Sequence, residues 1–590
     1  MNQKRFDFIW IFALALVPRI IFCFQWAGMP YGRVPFLDAL SYDTWAKEIL
    51  RGEFLRATAF YQSPLYPYFL ALIYKIAGHG LLMVSLAQAV LSALSCAMIA
   101  ALAGRYFSRT AGATCGVLAA LYRPLIFYSA PLMKETLMVL LLTLFTWYAV
   151  QWFERGRGRD YFLSGLFLAL TALVRANVLL LAIPVLALEL TGARRLRWRQ
   201  LSLASVGLLL PLSLTAAHNW TTGGDFVLVN YTGGFNFYIA HSPSADGLNA
   251  YPPDVSSDPV QEERDVVRIA ESARGRPLHP GEVSAYWFER GLAYASANPG
   301  HELSLLVYKL WIFINNFEIP DNYDVGFIRA EFGSLLALPL ATFGLIFALA
   351  GANAVWERRR PAVLLELLFA AYLLSVILFY VTDRYRLPAA IFLLPLAGAA
   401  IARFIEATTM KSRLITMAPA LPFLLLTFWP MATDAPAIES FNWGSLAALD
   451  SDAGRDAESA TAIRKAIAAN GSADAYALVK ASTSEERLGH VQEARDLLRL
   501  ACEKHPTDGF AYFNFGRFHY EHGQFVEAEA LYKRALEAMP WMHQPYIGLA
   551  ILYYKLGHSD QALKATEEGL KRRPGDPQLL ELAKLFAGHQ

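Results

Sequence analysis

Residues 36–50 read FLDALSYDTWAKEIL and follow an apolar stretch, Phe6 to Trp26, of the length a membrane span needs. Asp38 stands there ahead of Tyr42, Trp45 and Ala46, just outside that stretch. A carboxylate so placed either caps the helix that starts near Ala39 or stays available for chemistry at the membrane surface. Basic side chains recur at the outer ends of later apolar stretches, at Lys134, Arg175, Arg384 and Arg386, where phosphate headgroups sit. The long stems of Lys134 and Arg175 also let them simply snorkel to the interface. Arg384 and Arg386 share the short turn 382–386, on a face whose loops are otherwise poor in basic residues. Glu135 either orients a reacting group or is a first-turn carboxylate favoured by the helix dipole. Asp43, four residues before Lys47, is expected to form an exposed helix pair.

The elements that must position these residues are membrane spans. The 590-residue chain is 55% hydrophobic and 17% charged, with a mean hydropathy of +0.32, which points to a polytopic membrane protein. A net charge of +2 without a basic block outside the loops argues against nucleic acid as a partner. Four scattered cysteines make neither a disulfide framework nor a CxxC metal site, and His218, His241 and His301 lack ligand spacing. Apolar windows at 6–26, 81–103, 111–130, 133–153, 161–175, 177–190, 201–217, 333–355, 362–381, 387–404 and 414–431 predict about eleven spans. The first has no small-residue cleavage site and reads as a retained anchor. Basic residues fall in alternate connections: Lys4/Arg5, Arg105/Arg109, Arg155/Arg157/Arg159, Arg194/Arg195/Arg197/Arg199, Arg358/Arg359/Arg360 and Arg403/Lys411/Arg413. Those connections face the cytoplasm, and the loops 27–80 and 218–332, the turn 382–386 and everything after 431 face the outside. Asp38 therefore lies where ATP and nucleotide sugars are absent, so chemistry there draws on a donor carried in the lipid. Arg19 and Arg123, inside apolar runs, have no assigned role. In the second outer loop, glycine pairs at 223–224 and 233–234 flank DFVLVNYT, an alternation that reads as a short hairpin and a lid.

After a linker at 432–474, residues 475–590 carry a repeat. Gly489, Gly523 and Gly557, Ala494, Ala528 and Ala562, and Pro506, Pro540 and Pro574 recur at 34-residue spacing. That period, with small residues at a helix crossing, is the tetratricopeptide signature, and its stack presents a groove for a protein partner.

The first outer-loop string LDALSYDTWAKEI resembles that of GT-C membrane glycosyltransferases of the protein O-mannosyltransferase and aminoarabinose transferase type, glycosyltransferase family 39-like. Those families carry an acidic residue, a Tyr and an Ala at four-residue steps, here Asp38, Tyr42 and Ala46. SPLYPYFLALIYKIAG, LMKETLMVLLL, GLFLALTALVRANVLLLAIP, HNWTTGGDFVLVNYTGGFNFYIA and DRYRLPAAIFLLPLAG are similar to further segments, in order, over most of residues 1–405. Many relatives have Glu directly after the first Asp, and this chain has Ala39.

The resemblance implies an all-α, polytopic GT-C-like membrane domain, 1–431, ahead of the tetratricopeptide α-solenoid. It implies an inverting transfer of a sugar from a polyprenyl-phosphate donor to a protein, lipid or polysaccharide acceptor at the outer face of a bacterial inner membrane. Asp38 is the candidate general base, Tyr42 and Glu135 belong to the substrate site, and Lys134, Arg175, Arg384 and Arg386 are candidates for meeting the leaving phosphate. A divalent cation is the one cofactor the resemblance leaves open. The competing classes are a lipid or sugar transporter, which the missing internal repeat disfavours, and a non-catalytic membrane scaffold for the repeats.

Overall fold

The computed structural model describes residues 3–192, 197–248, 250–252, 255–256, 259–431 and 433–587; Arg194 and Arg195 lie outside these residues. The described residues are helical and contain no strand. Backbone proximity divides the chain into two compact units, Met1–Ala432 and Thr433–Gln590.

In the first unit six helices are long and apolar enough to cross a membrane: Asp7–Gly28, Leu81–Tyr106, Glu135–Arg155, Trp198–Gly223, Arg360–Ile377 and Asp383–Glu406. The other expected spans are shorter or broken. The window 111–130 is a helix, Arg109–Ala120, then Tyr122 bridged to Ala341, then a five-residue helix that carries Pro124 in its first turn. The window 414–431 is interrupted at Pro419, which separates Met410–Met417 from Ala420–Thr427. The window 333–355 is helical only from Phe343 to Trp356, apart from a 3-10 turn at Leu335–Ala337. The pair 161–175 and 177–190 becomes Gly158–Ala172, a non-helical step at Leu173–Arg175, a 3-10 turn Ala176–Leu181 and the helix Ala182–Gly192. Non-helical backbone at membrane depth is tolerated where protein buries it or where it lines a polar cavity. Arg175 sits in such a step.

Arg19, unassigned from sequence, is fully buried and ties three helices together. Its guanidinium donates to Ser92 Oγ at 2.7 Å, to Cys96 Sγ at 3.2 Å and to the carbonyls of Ala15, Ala119 and Ala120. A buried charge needs such an array, and here it closes the ends of one helix over another.

Two local expectations are overturned. The stretch DFVLVNYT forms no hairpin, because its backbone groups find partners elsewhere. Asn219 Nδ2 donates to the carbonyls of Val227 and Val229, at 2.9 and 3.1 Å, and Tyr231 N donates to Phe60 O. Asn219 Oδ1 accepts from Phe60 N at 2.9 Å, so one side chain fastens both outer loops. Gly224 (φ 69°) ends the preceding helix, and a Cβ on Gly234 would stand 1.8 Å from Ser284 O, so these glycines serve a cap and a close helix contact. Asp43 is 2% exposed rather than on the surface. It accepts from Tyr74 OH at 2.6 Å, meets His79 Nε2 at 2.8 Å and pairs with Lys47 at 2.7 Å, joining Asp38–Leu50 to Leu65–Ala77.

The second unit repeats one hairpin of helices: Ala475–Arg487 with Val491–Lys504, Gly509–Glu521 with Phe525–Ala538, and Gln544–Lys555 with Ser559–Arg572. Gly489, Gly523 and Gly557 take φ of 85°, 74° and 78° at the turns, and Ala494, Ala528 and Ala562 are fully buried where the helices cross. Asp474 and Asp508 cap the first two pairs. The stretch read as a linker is also helical, Ala435–Asp452 packed on Asp456–Asn470, with its turn at Gly454 one residue out of the repeat's phase.

Candidate active site

Leu37 has φ 47° and ψ −121°, the positive-φ residue other than glycine among those described, and Asp38 opens the helix after it. Such backbone strain costs on the order of 1–3 kcal/mol and persists where surrounding contacts over-determine it. No side chain caps this helix. The Asp38 carboxylate turns instead to Arg384, whose Nη1 lies 2.5 Å from Asp38 Oδ2 across 346 residues of sequence. Arg384 Nε donates to Asp321 Oδ2 at 2.8 Å, so the guanidinium is clamped between two carboxylates, one from each outer loop. The side chains of Asp38, Arg384 and Asp321 are 16, 7 and 3% exposed, which leaves Asp38 the accessible member. Burial pushes the Asp38 carboxyl up, but the charges of Arg384 and Lys134 outweigh it and hold Asp38 below the usual carboxylate range.

Tyr42, one turn after Asp38 and 1% exposed, packs edge-on against Tyr66 with centroids 5.2 Å apart. Lys134 Nζ lies 5.8 Å from the centroid of the Tyr42 ring. Tyr66 OH donates to Gln88 Oε1 at 2.8 Å, and Gln88 Nε2 to Pro131 O at 2.7 Å, which fixes the turn that presents Lys134. Burial, with Arg175 adding to it, lowers the Lys134 ammonium to about 8 against the pull of Asp38 and Glu135. Next to it Glu135, fully buried, accepts from Arg175 Nη2 at 2.7 Å, and the Arg175 guanidinium lies 3.9 Å from the centroid of Tyr385. Tyr385 stands 5.2 Å beneath Arg384 as well, so one ring bridges the two arginines.

The structure thus brings Asp38, Tyr42, Lys134, Glu135, Arg175 and Arg384 into one cluster and sorts the cations by what holds them. Arg384 has two carboxylates and Arg175 has Glu135; Lys134, half-buried, has no carboxylate within ion-pair distance among the described residues. Arg386, expected as a phosphate ligand, is committed elsewhere. Its guanidinium donates to the carbonyls of Phe313, Asn315 and Phe317 and lies 4.6 Å from the centroid of Phe343, fastening the exit of the helix Pro299–Ile314. Asp38 and Asp321 face each other across a guanidinium, and no group of three His, Cys, Asp or Glu side chains fit to hold a metal occurs among the described residues.

Asp321, Tyr385 and Glu262 are members that sequence reasoning missed. Glu262 Oε1 accepts from Tyr61 OH at 2.6 Å and its Oε2 from Tyr251 OH. Burial raises its carboxyl to about 7, against the hydrogen bonds of Tyr251 and Tyr61 and with Asp38 adding to the rise. The signal for Asp321 was indirect: a buried arginine on the basic-poor face requires a carboxylate, and Pro-Asp at 320–321 supplied one.

Residues 61–220 match the family model described as dolichyl-phosphate-mannose-protein mannosyltransferase. This segment is glycosyltransferase family 39-like. Lys134, Glu135 and Arg175 fall inside it, while Asp38, Tyr42, Arg384 and Arg386 fall outside. Residues 519–585 match a tetratricopeptide repeat model. No curated protein matches the chain. Among solved structures, it is similar to YrrB, described as a TPR protein with an unusual peptide-binding site, at 18% identity over 30% of this chain and 83% of that one, with a TM-score of 0.22. It is also similar to MamA, at 18% identity over 28% of this chain and 85% of that one, with the same TM-score. The first unit thus carries a segment matched by a mannosyltransferase family model among helices long and apolar enough to cross a membrane, and the second carries a segment matched by a tetratricopeptide repeat model.

Proposed function

We propose that the first unit transfers a sugar from a polyprenyl-phosphate donor to an acceptor hydroxyl at the extracytoplasmic face of the bacterial inner membrane, with inversion at the sugar's anomeric carbon. The observation that carries this reading is the Asp38–Arg384 contact with Lys134 beside it. Three loops that the arginine count assigns to one face converge there, on a carboxylate and a cation not held by another carboxylate. Arg105–Glu154 and Arg109–Asp7 pair among the connections that the arginine count assigns to the opposite face.

The step follows from these groups. The acceptor oxygen attacks the anomeric carbon as its proton passes to the Asp38 carboxylate, and the bond between that carbon and the phosphate oxygen breaks. The electron pair leaves on polyprenyl phosphate, whose added charge the Lys134 ammonium neutralises. Arg384 and Asp321 hold Asp38 in place, and a positioned general base of this kind contributes roughly 10²–10⁴-fold. Asp38 is a weak base beside two cations. An anionic donor settling on Lys134 offsets part of that positive field and strengthens the base only when a donor is present. The repeats capture a protein partner or acceptor in their groove.

The test is transfer of labelled sugar from a polyprenyl-phosphate donor by the purified full chain in proteoliposomes. A surface-glycan profile of a deletion strain and its complemented control then identifies the acceptor as protein, lipid or polysaccharide. Absence of transfer from every such donor, with an unchanged glycan profile, overturns the proposal.

A further inference from the structure

The Glu135–Arg175 pair is incompletely satisfied in a way that specifies a ligand. Arg175 uses Nη2 on Glu135 Oε1 and also lies against the Tyr372 hydroxyl, while its Nε and Nη1 are buried without a hydrogen bond of full geometry. Glu135 Oε2 is likewise buried and unpartnered, as is Asn177 Oδ1 two residues after Arg175. Asn177 is oriented by its own amide, which donates to Ser375 Oγ at 3.0 Å, so the carbonyl oxygen is the end left over. Glu135 is fully buried and Arg175 6% exposed. A buried polar atom without a partner costs about 1–3 kcal/mol, and native structures rarely leave several together.

The unpartnered atoms are of both kinds: two donors on Arg175, one acceptor on Glu135 and one on Asn177. An ionised phosphate offers acceptors only, so it would satisfy Arg175 while facing Glu135 Oε2 and Asn177 Oδ1 with repulsion. A hydroxyl both donates and accepts, and neighbouring hydroxyls on a sugar ring can accept from Arg175 and donate to Glu135 and Asn177. Chain adjacency supports the same division. Lys134, the cation without a carboxylate, immediately precedes Glu135, and in a glycosyl phosphate the ring is bonded to the phosphate. Tyr385, under the Arg175 guanidinium at 3.9 Å, stacks on that planar fork and fixes its orientation.

We propose that Glu135 and Arg175, with Asn177, read ring hydroxyls of the sugar being transferred, while its phosphate rests on Lys134. This rests on the donor class proposed above and assigns its sugar-specificity site. A site built to hydrogen-bond a hydroxyl rejects the analogue lacking it by up to about 10⁴–10⁵-fold, because the site's own groups are then left unpaired.

The experiment measures binding before turnover. The full chain in detergent is titrated with bare polyprenyl phosphate and with the same lipid phosphate carrying mannose, glucose or galactose. Each monodeoxy form of the tightest sugar lipid follows. The wild type is expected to bind one sugar lipid at least tenfold more tightly than the bare lipid, and to lose that preference when one particular ring hydroxyl is removed. Glu135→Gln is expected to abolish the preference while leaving bare-lipid affinity within about threefold, which also certifies its fold; Lys134→Met weakens both lipids alike. Equal wild-type affinity for bare and sugar-bearing lipids overturns the assignment, as does a Glu135→Gln loss equal for the two. Hydroxyl-dependent preference without transfer to any acceptor supports the sugar site and counts against the transferase reading, so the two failures are distinguishable.

Discussion

Charged side chains behave differently in the two units. In the membrane unit several pair across long stretches of sequence and below the surface: Asp38 with Arg384 over 346 residues, Glu135 with Arg175 over 40, Glu262 with the hydroxyl of Tyr61 over 201. In the tetratricopeptide unit many pair within a helical turn, in the open, as Lys533 with Glu529 and Arg534 with Glu537 do. The first kind fixes which loops meet and leaves a costly orphan when cut, whereas the second is screened and nearly dispensable. Breaking members of each kind, in order of expected consequence, tests that contrast.

Asp38→Asn carries the largest effect. The amide is nearly isosteric and can still accept from Arg384, so expression and donor binding are expected to change little. An amide has no comparable proton affinity, and sugar transfer is expected to fall by about 10²–10⁴-fold. Steady-state transfer by the purified variant decides it, and full activity removes Asp38 from the mechanism. Next, Arg384→Met leaves Asp38 and Asp321 as buried carboxylates without their shared cation, a loss of about 3–5 kcal/mol. Its melting temperature in detergent should fall well below that of Asp38→Asn. Asp43→Asn comes third: it weakens bonds to Tyr74, His79 and Lys47 and is expected to cost about 1–3 kcal/mol while sparing the transfer step itself.

The same contrast explains what could be read from the sequence. The repeats were legible because a 34-residue period writes each local contact three times, and Gly489, Ala494 and Pro506 each have a fixed job within one hairpin. The extra pair at Ala435–Asp452 and Asp456–Asn470 was missed because its turn at Gly454 is out of phase and Ser472 stands where the repeat has proline. Asp38 and Lys134 stood out from their positions at span ends. Nothing local distinguishes Arg384 from Arg386, two residues apart in one short helix, although one meets two carboxylates and the other three carbonyls. Asp43 looked like an ordinary i,i+4 helix pair because Tyr74 arrives from the next helix and His79 from the turn that follows it. The hairpin over DFVLVNYT failed for the same reason, since Asn219 and Phe60 take the backbone groups that a partner strand would have used.

Glu262 sharpens the contrast through pH. Its carboxyl is raised from an ordinary 4.5 to about 7 in the folded chain, chiefly by burial. Between those values the folded state holds a proton that the unfolded state has released, so stability falls as pH rises through this window and is level above it. The slope approaches about 1.4 kcal/mol per pH unit at its steepest. Glu262→Gln removes that slope, so the variant is expected to melt higher than the wild type at pH 8 and no higher at pH 5. Parallel melting curves for the two proteins across this range would mean that Glu262 does not titrate there.

Lys533→Ala is the smallest effect and the one that completes the comparison. Lys533 and Glu529 are 57 and 31% exposed, four residues apart on the helix Phe525–Ala538, and their 2.6 Å contact is the kind that water and salt screen. Glu529 keeps a second donor, Tyr553 OH at 2.8 Å, so removing the ammonium orphans nothing. Alanine also has the higher helix propensity, which offsets part of the lost attraction. The expected cost is therefore about 0.3–0.5 kcal/mol or less, shrinking further at high salt. Hydrogen exchange of the amides of that helix in the intact chain is the direct measure, and protection is expected to drop by no more than about twofold to threefold. A loss as large as that of Asp43→Asn, with Glu529 still held by Tyr553, would show that a one-turn surface pair in the repeat unit is as consequential as a buried pair between loops, and the distinction between the two units would fail.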